Sequence, residues 1–266
     1  MLRIATHNVN GIRSATRRGF ADWLAGRGCD VVALQEVRCP ADLVPAEAVG
    51  GYHLTYHSGV LAGRNGVGFL TRTPPAAVRV GFGHRATDDH GRYLEIDLDL
   101  PGHVPLTLGS VYLPKGATHA GPDADPAKYA RKLAFMRSFR AYLTRARRNA
   151  ARAGREFAVM GDFNIAHTER DLKNWRSSRA MEGFLPDERE WFGTLLGPRT
   201  LIDVVRSLHP DAQGPYSWWS WLAGRFGADV GWRIDYQLAS PGLARAAVAG
   251  GTDRAANFCL ADQRGN

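Results

Sequence analysis

Asp30-Val31-Val32-Ala33-Leu34-Gln35-Glu36 is an apolar run that ends in a carboxylate. A short, bounded apolar segment of this kind predicts a buried strand. The layout recurs three times. Residues 3–9 alternate like a strand and bring Asn8 to its end, and Asn10-Gly11 then turns the chain. Residues 156–163 deliver Asp162, followed by Asn164, and residues 233–239 carry Asp235. A core strand has no structural need for a carboxylate at its tip, and a buried carboxylate is costly unless paired or bound to a cation. If these tips converge, they form an oxygen-rich pocket. Hard oxygen donors with few cysteines or histidines suit Mg²⁺ or Mn²⁺ rather than zinc. Such an ion clamps a phosphate and stabilises charge on a leaving oxygen. Taken singly, each tip is equally well a turn or cap residue; four together favour a site.

Around these strands the pattern is mixed. Apolar spacing predicts helices over about 17–27, with Phe20, Trp23 and Leu24 on one face, and over 126–153, with Tyr129, Leu133, Met136, Phe139 and Leu143 in register. Pro186 and the acidic residues after it open another helix. Further strands are expected at 52–58, 67–71, 93–100, 106–112 and 201–205. There is no repeat, low-complexity tract or long linker, so residues 1–266 read as one domain. Strands and helices without strict alternation predict packed sheets with helices outside, not a doubly wound sheet.

Composition narrows the partners. The chain holds 44% hydrophobic residues but no run of about 18 apolar ones, so no membrane span is expected. Its start lacks the layout of a signal peptide, which points to the cytoplasm. Cys29, Cys39 and Cys259 are sparse and odd in number, and are expected to be reduced. The net charge of +8 favours a polyanion. Part of it sits in Arg140, Arg145, Arg147, Arg148, Arg152 and Arg155, which fit the solvated face of one helix equally well.

Several segments together resemble the endonuclease/exonuclease/phosphatase superfamily, and within it the exodeoxyribonuclease III class of AP endonucleases. These are Thr6-His7-Asn8-Val9-Asn10-Gly11-Ile12-Arg13, Leu34-Gln35-Glu36, Tyr112-Leu113-Pro114, Gly161-Asp162-Phe163-Asn164-Ile165-Ala166 and Trp232-Arg233-Ile234-Asp235-Tyr236. Gly183-Phe184-Leu185-Pro186 followed by Glu188-Arg189-Glu190-Trp191 resembles the class rather than the superfamily at large. The resemblance runs in family order from residue 2 to about 262. It implies an α/β fold, a four-layered α-β-β-α sandwich with two mixed sheets packed face to face. It further implies a monomeric, Mg²⁺- or Mn²⁺-dependent nuclease, cytoplasmic and nucleoid-associated. The implied substrate is double-stranded DNA with abasic or 3′-blocked sites, cut 5′ to the abasic site or trimmed as a 3′→5′ exonuclease.

By resemblance, Glu36, with Asn8 and Asp262, holds the metal. Asp162 orients or deprotonates the attacking water, Asn164 binds phosphate, and the Tyr112 hydroxyl touches the scissile phosphate. Asp235 orients a histidine. Asn10, Arg13, Lys115, Lys173 and Arg176 are candidates for DNA contacts. Trp218 and Trp232 are expected to wall a pocket for a base-less sugar. Within Tyr216-Ser217-Trp218-Trp219-Ser220-Trp221, at least one tryptophan is expected to be core.

The chain departs from the pattern at its end. Where the family carries Ser-Asp-His-x-Pro and a last strand, this sequence reads Leu260-Ala261-Asp262-Gln263-Arg264-Gly265-Asn266. Gln263 stands at the histidine position, and the last strand is expected to be truncated. Glutamine offers a neutral hydrogen bond but no proton near pH 7, and such a loss typically slows a reaction about 10²–10⁴-fold. Two alternatives follow: a homologue that binds damaged DNA without cutting it, and a superfamily member turned to another phosphoester.

Overall fold

The computed structural model describes residues 1–61, 63–220, 222 and 224–254. Its strands are β1 (Ile4–Asn8), β2 (Val31–Gln35), β3 (His53–His57), β4 (Val67–Thr71), β5 (Ala77–Val80), β6 (Tyr93–Leu98), β7 (Leu106–Tyr112), β8 (Glu156–Asp162), β9 (Ile202–Asp203), β10 (Trp218–Trp219), β11 (Gly231–Trp232) and β12 (Asp235–Ala239). The α-helices are α1 (Ile12–Arg17), α2 (Phe20–Arg27), α3 (Ala46–Val49), α4 (Pro126–Arg152), α5 (Pro186–Gly193), α6 (Val204–Leu208) and α7 (Pro241–Arg245). One sheet has the order β1-β2-β4-β3 and the other β5-β6-β7-β8-β12-β9, with β10 and β11 as a separate ribbon. Both larger sheets are mixed, because β1 runs parallel to β2 and β7 to β8 among antiparallel neighbours.

Strand alternation sorts the side chains into layers. Val31 and Ala33 of β2 meet Leu106 and Leu108 of β7 and Ala158 and Met160 of β8 between the sheets. Val32 and Leu34 point the other way, onto Ile12, Phe20 and Leu24 of α1 and α2. Phe157 and Val159 of β8 back onto Phe135, Met136, Phe139 and Leu143 of α4 and Phe192 of α5. Helices, two sheets facing each other and helices again make the four-layered sandwich.

Two expected elements change on folding. The single helix over 17–27 is broken, because Gly19 adopts φ 100° and starts a second helix at Phe20. The strand expected at 201–205 stops after two residues. Asp203 accepts from the Arg206 N–H at 3.0 Å and caps α6. Arg233 and Ile234 precede β12 rather than belonging to it. Arg140, Arg145, Arg148 and Arg152 do lie on the exposed side of α4, while Arg155 lies beyond it and pairs with Asp99 at 2.7 Å. Cys29 and Cys39 are free and buried, and burial pushes both thiols up; Cys259 lies outside the described residues. Among the described residues, no helix is long and apolar enough to cross a membrane.

Candidate active site

Period-two alternation that fills the inter-sheet core also aims the strand tips. Asp162 is in phase with Ala158 and Met160, and Tyr112 with Leu106 and Leu108, so both project between the sheets. The register sets Asp235 opposite Asp162 and Asp162 opposite Tyr112. From the facing sheet, Asn8 Nδ2 donates to Glu36 Oε1 at 2.8 Å and to Asp162 Oδ2 at 2.9 Å, joining the two sheets at their tips.

Glu36 reaches this pocket by breaking alternation. Gln35 points between the sheets and donates to Ser110 Oγ at 3.0 Å, so regular pleating would turn Glu36 outward. Glu36 instead takes φ 51°, a left-handed conformation rare for a residue without special reason to adopt it. Asn10 and Asn164 share this region, at φ 46° and 48°. Gly161 allows the close approach of β7, since a Cβ there would lie 2.1 Å from the Val111 carbonyl oxygen.

The pocket concentrates negative charge. Asp162 is fully buried in its setting and is held well above the ordinary carboxylate value by burial, then by Asp235 and Glu36. Burial likewise raises Asp235 to about 6, with Glu36 adding and a Ser217 hydrogen bond opposing. Asp235 Oδ1 is buried without a hydrogen-bond partner among the described residues. Burial, then Glu36 and Asp162, push the Tyr112 hydroxyl up, so it stays protonated as a donor. Asn164 N donates to Asp162 Oδ1 at 2.8 Å, and its side-chain Nδ2 to the Leu113 carbonyl at 2.9 Å.

These groups fit a hard divalent cation. Three carboxylates repel one another, one oxygen lacks a partner, and oxygen donors dominate. Among the described residues, no three His, Cys, Asp or Glu side chains form a ready cage. A hard divalent cation that keeps several waters needs only one or two carboxylates, so no full cage is required.

The tips open into a cleft of about 750 Å³ that Asn8, Asn10, Glu36, Tyr112, Lys115, Asp162, Asn164, Trp218, Trp232 and Asp235 all line. Trp218 pairs with Trp232 across the ribbon, with ring centroids 6.4 Å apart and nearly perpendicular. Trp219 is the core tryptophan, 3% exposed, with Nε1 donating to Asp229 Oδ1 at 3.1 Å. Three of the expected DNA contacts do not line the cleft. Arg13 is exposed on α1, Lys173 is exposed, and Arg176 stacks on Trp175 with its guanidinium 4.5 Å from the ring centre. All three are exposed to solvent. Trp221, Asp262 and Gln263 lie outside the described residues. His7 lines the cleft and packs its ring on Phe20 and Trp23, while His167 packs on Phe192 and lies outside the lining.

Sequence reasoning missed four neighbours. Arg38 forms an ion pair with Glu36. Arg92 lies over the Tyr112 ring at 5.0 Å. Ser217 Oγ accepts from the backbone N–H groups of Ile234 and Asp235, both at 3.1 Å. Arg233 is buried against Asp171 and Asp203 and anchors the segment that carries Trp232 and Asp235. Only the last carried a signal, as a charged residue inside an apolar strand-like run.

Residues 5–257 match the model of the Endonuclease/Exonuclease/phosphatase family. The chain belongs to this family. It is 32% identical over 246 residues to the DNA repair nuclease APEX1 of Danio rerio, covering 91% of this chain and 74% of that protein. It is 30% identical over 243 residues to a DNA-(apurinic or apyrimidinic site) endonuclease of Dictyostelium discoideum, covering 91% of this chain but only 63% of that longer protein. The structure of the 3′ phosphatase NExo from Neisseria, bound to product DNA hairpin, superposes with a TM-score of 0.77 at 25% identity, over 92% of this chain and 89% of that one.

Proposed function

We propose that this family member is a divalent-cation-dependent DNA-repair phosphodiesterase. In this reading it hydrolyses the phosphodiester 5′ to an abasic site and trims 3′ ends. The observation that carries the reading is the convergence of Asn8, Glu36, Tyr112, Asp162 and Asp235 from two sheets on one buried, cation-seeking pocket. The names of the relatives, an abasic-site endonuclease, a repair nuclease and a 3′ phosphatase bound to DNA, support the substrate class.

Glu36, oriented by Asn8, would hold the cation, with Mg²⁺ or Mn²⁺ as the expected ions. When bound, the cation supplies charge neutralisation at the phosphate and at the departing oxygen. Asp162, whose basicity is raised by burial and by its acidic neighbours, takes a proton from the attacking water. The water oxygen bonds to phosphorus, the bond from phosphorus to the 3′ oxygen breaks, and solvent completes the 3′ hydroxyl. Tyr112 donates its hydroxyl to a phosphate oxygen, and the second N–H of the Asn164 amide serves the same charge. Trp218 and Trp232 wall the sugar side, where a base-less residue packs without stacking. Lys115 and Asn10 face the flanking backbone. Asp235 keeps the orienting role that the family resemblance gives it.

The test is incision of a duplex carrying one tetrahydrofuran abasic analogue, with Mg²⁺ and with EDTA. Mg²⁺-dependent cutting that Glu36→Ala abolishes is the expected result, with about 10²-fold or more gained by Gln263→His. Tight binding to that duplex without any cutting would replace this reading with recognition of damaged DNA alone.

A further inference from the structure

Of the chain's 34 lysines and arginines, nine fall within α4, which contains no aspartate or glutamate. The remaining 25 face 26 acidic residues, so the whole positive surplus resides on this one helix. Lys132 is buried and paired with Glu188. Of the other eight, seven are exposed and Arg147 is half-buried, and none is ion-paired with a described residue. A merely solvated helix face usually mixes signs, because oppositely charged neighbours three or four apart stabilise it and like charges do the reverse. Here Arg145–Arg148 and Arg148–Arg152 are like-charged neighbours at those spacings.

The cations form a stripe. At 3.6 residues per turn, Arg137, Arg145, Arg148 and Arg152 fall within about 80° of arc, opposite the buried Phe139 and Leu143. Small residues such as Ala134 and Ala141 lie between them. The helix's apolar side is already committed to the core, which leaves nothing to insert into a lipid surface. With 27 residues, α4 is about 40 Å long, close to one turn of duplex DNA at about 34 Å. It contributes no residue to the cleft lining. Its N-terminal part approaches the site, where Lys132 Nζ donates to the Asn164 carbonyl at 3.0 Å. Arg148 and Arg152 lie about 24–30 Å further along the axis, beside the opposite ends of β7 and β8.

We propose that the exposed face of α4 is a second, non-catalytic site for the phosphate backbone of double-stranded DNA. It holds a segment separate from the one in the cleft. The inference goes beyond the proposed activity and stands whether or not the cleft cuts. Its effect is to raise non-specific affinity and to keep the protein on long DNA between encounters with the cleft.

The test uses the full chain with Arg137, Arg145, Arg148 and Arg152 all changed to Gln, beside a version with all four changed to Lys. Binding to an undamaged 30-base-pair duplex is followed by anisotropy across salt. The Gln version is expected to bind at least ten-fold more weakly at moderate salt. Its slope of log K on log salt should be shallower by about 2–4, at roughly 0.9 per lost phosphate contact. The Lys version should retain the slope, and both should keep the melting temperature. In a second arm, protein held on an immobilised abasic-analogue duplex captures a labelled second duplex, and the Gln version does not. An unchanged salt slope, or no capture by the natural protein, overturns the proposal. Helix-dependent binding to phosphatidylserine vesicles with the DNA slope unchanged would overturn it in favour of a membrane surface.

Discussion

Asp235 shows how a strand tip trades stability for chemistry. Its carboxyl is raised from about 3.8 to about 6, chiefly by burial, with Glu36 adding to the effect. Between these values the folded chain holds a proton that the unfolded chain releases. Stability contributed by this group is therefore present at low pH and is lost as pH rises through about 6. Asp235→Asn removes the penalty. In EDTA at pH 7.5 the variant is expected to be more stable than the natural protein by up to about 3 kcal/mol, with the gap about halved at pH 5. Thermal melts at the two pH values decide the matter. Equal stability at pH 7.5 would mean the carboxylate is solvated or paired after all. Under the proposed function the same variant should also be slower in incision.

Buried ion pairs do comparable work between elements. Lys132 of α4 and Glu188 of α5 are each 1% exposed and meet at 2.6 Å. Lys132 also donates to the Lys115 carbonyl at 3.1 Å and to the Asn164 carbonyl at 3.0 Å. Glu188 Oε2 accepts from the Leu185 N–H at 3.0 Å. Two helices thus fix two of the loops that present polar groups to the cleft, those of Lys115 and Asn164. Lys132→Met leaves an unpaired buried carboxylate and should cost about 3–5 kcal/mol in urea unfolding. The double change Lys132→Met with Glu188→Leu should recover most of that stability, since a well-packed apolar pair replaces a buried ion pair at little cost. It should not recover kcat, because the Asn164 and Lys115 carbonyls remain unanchored. Full recovery of kcat along with stability would reduce the pair to packing. Elements of this size were legible in the sequence where one period dominated, as in β2, β8 and α4. They were not where a single residue decided, as Gly19 did in splitting α1 from α2 and Asp203 in capping α6. Asp162 and Asp235 were legible for the same reason, since alternation carries them inward with the core. The left-handed turn at Glu36 and the Ser217 support were not, because one needs a rare backbone conformation and the other a contact across the fold.

At the scale of the molecule the site is a joint between two sheets. Glu36 and Asn8 come from one sheet, and Tyr112, Asp162 and Asp235 from the other. Beneath them, Thr6 Oγ1 donates to Gln35 Oε1 at 3.1 Å and Gln35 Nε2 to Ser110 Oγ at 3.0 Å, locking the two sheets in register. A cation held at the tips therefore relieves repulsion between carboxylates that belong to different layers, and it is bound only while those layers face each other. Its binding free energy adds to the stability of the whole sandwich rather than to one loop. At 100 times its Kd, such a cation contributes about 2.7 kcal/mol, which for a domain of this size raises Tm by about 5–10 °C. Mg²⁺ or Mn²⁺ is thus expected to move the entire melting transition upward in the natural protein, without a separate early phase, and to leave Glu36→Ala where EDTA leaves it. An equal shift in Glu36→Ala would place the stabilising cation elsewhere on the chain. A shift seen only in an early partial transition would mean that the tips hold the ion without coupling the two sheets.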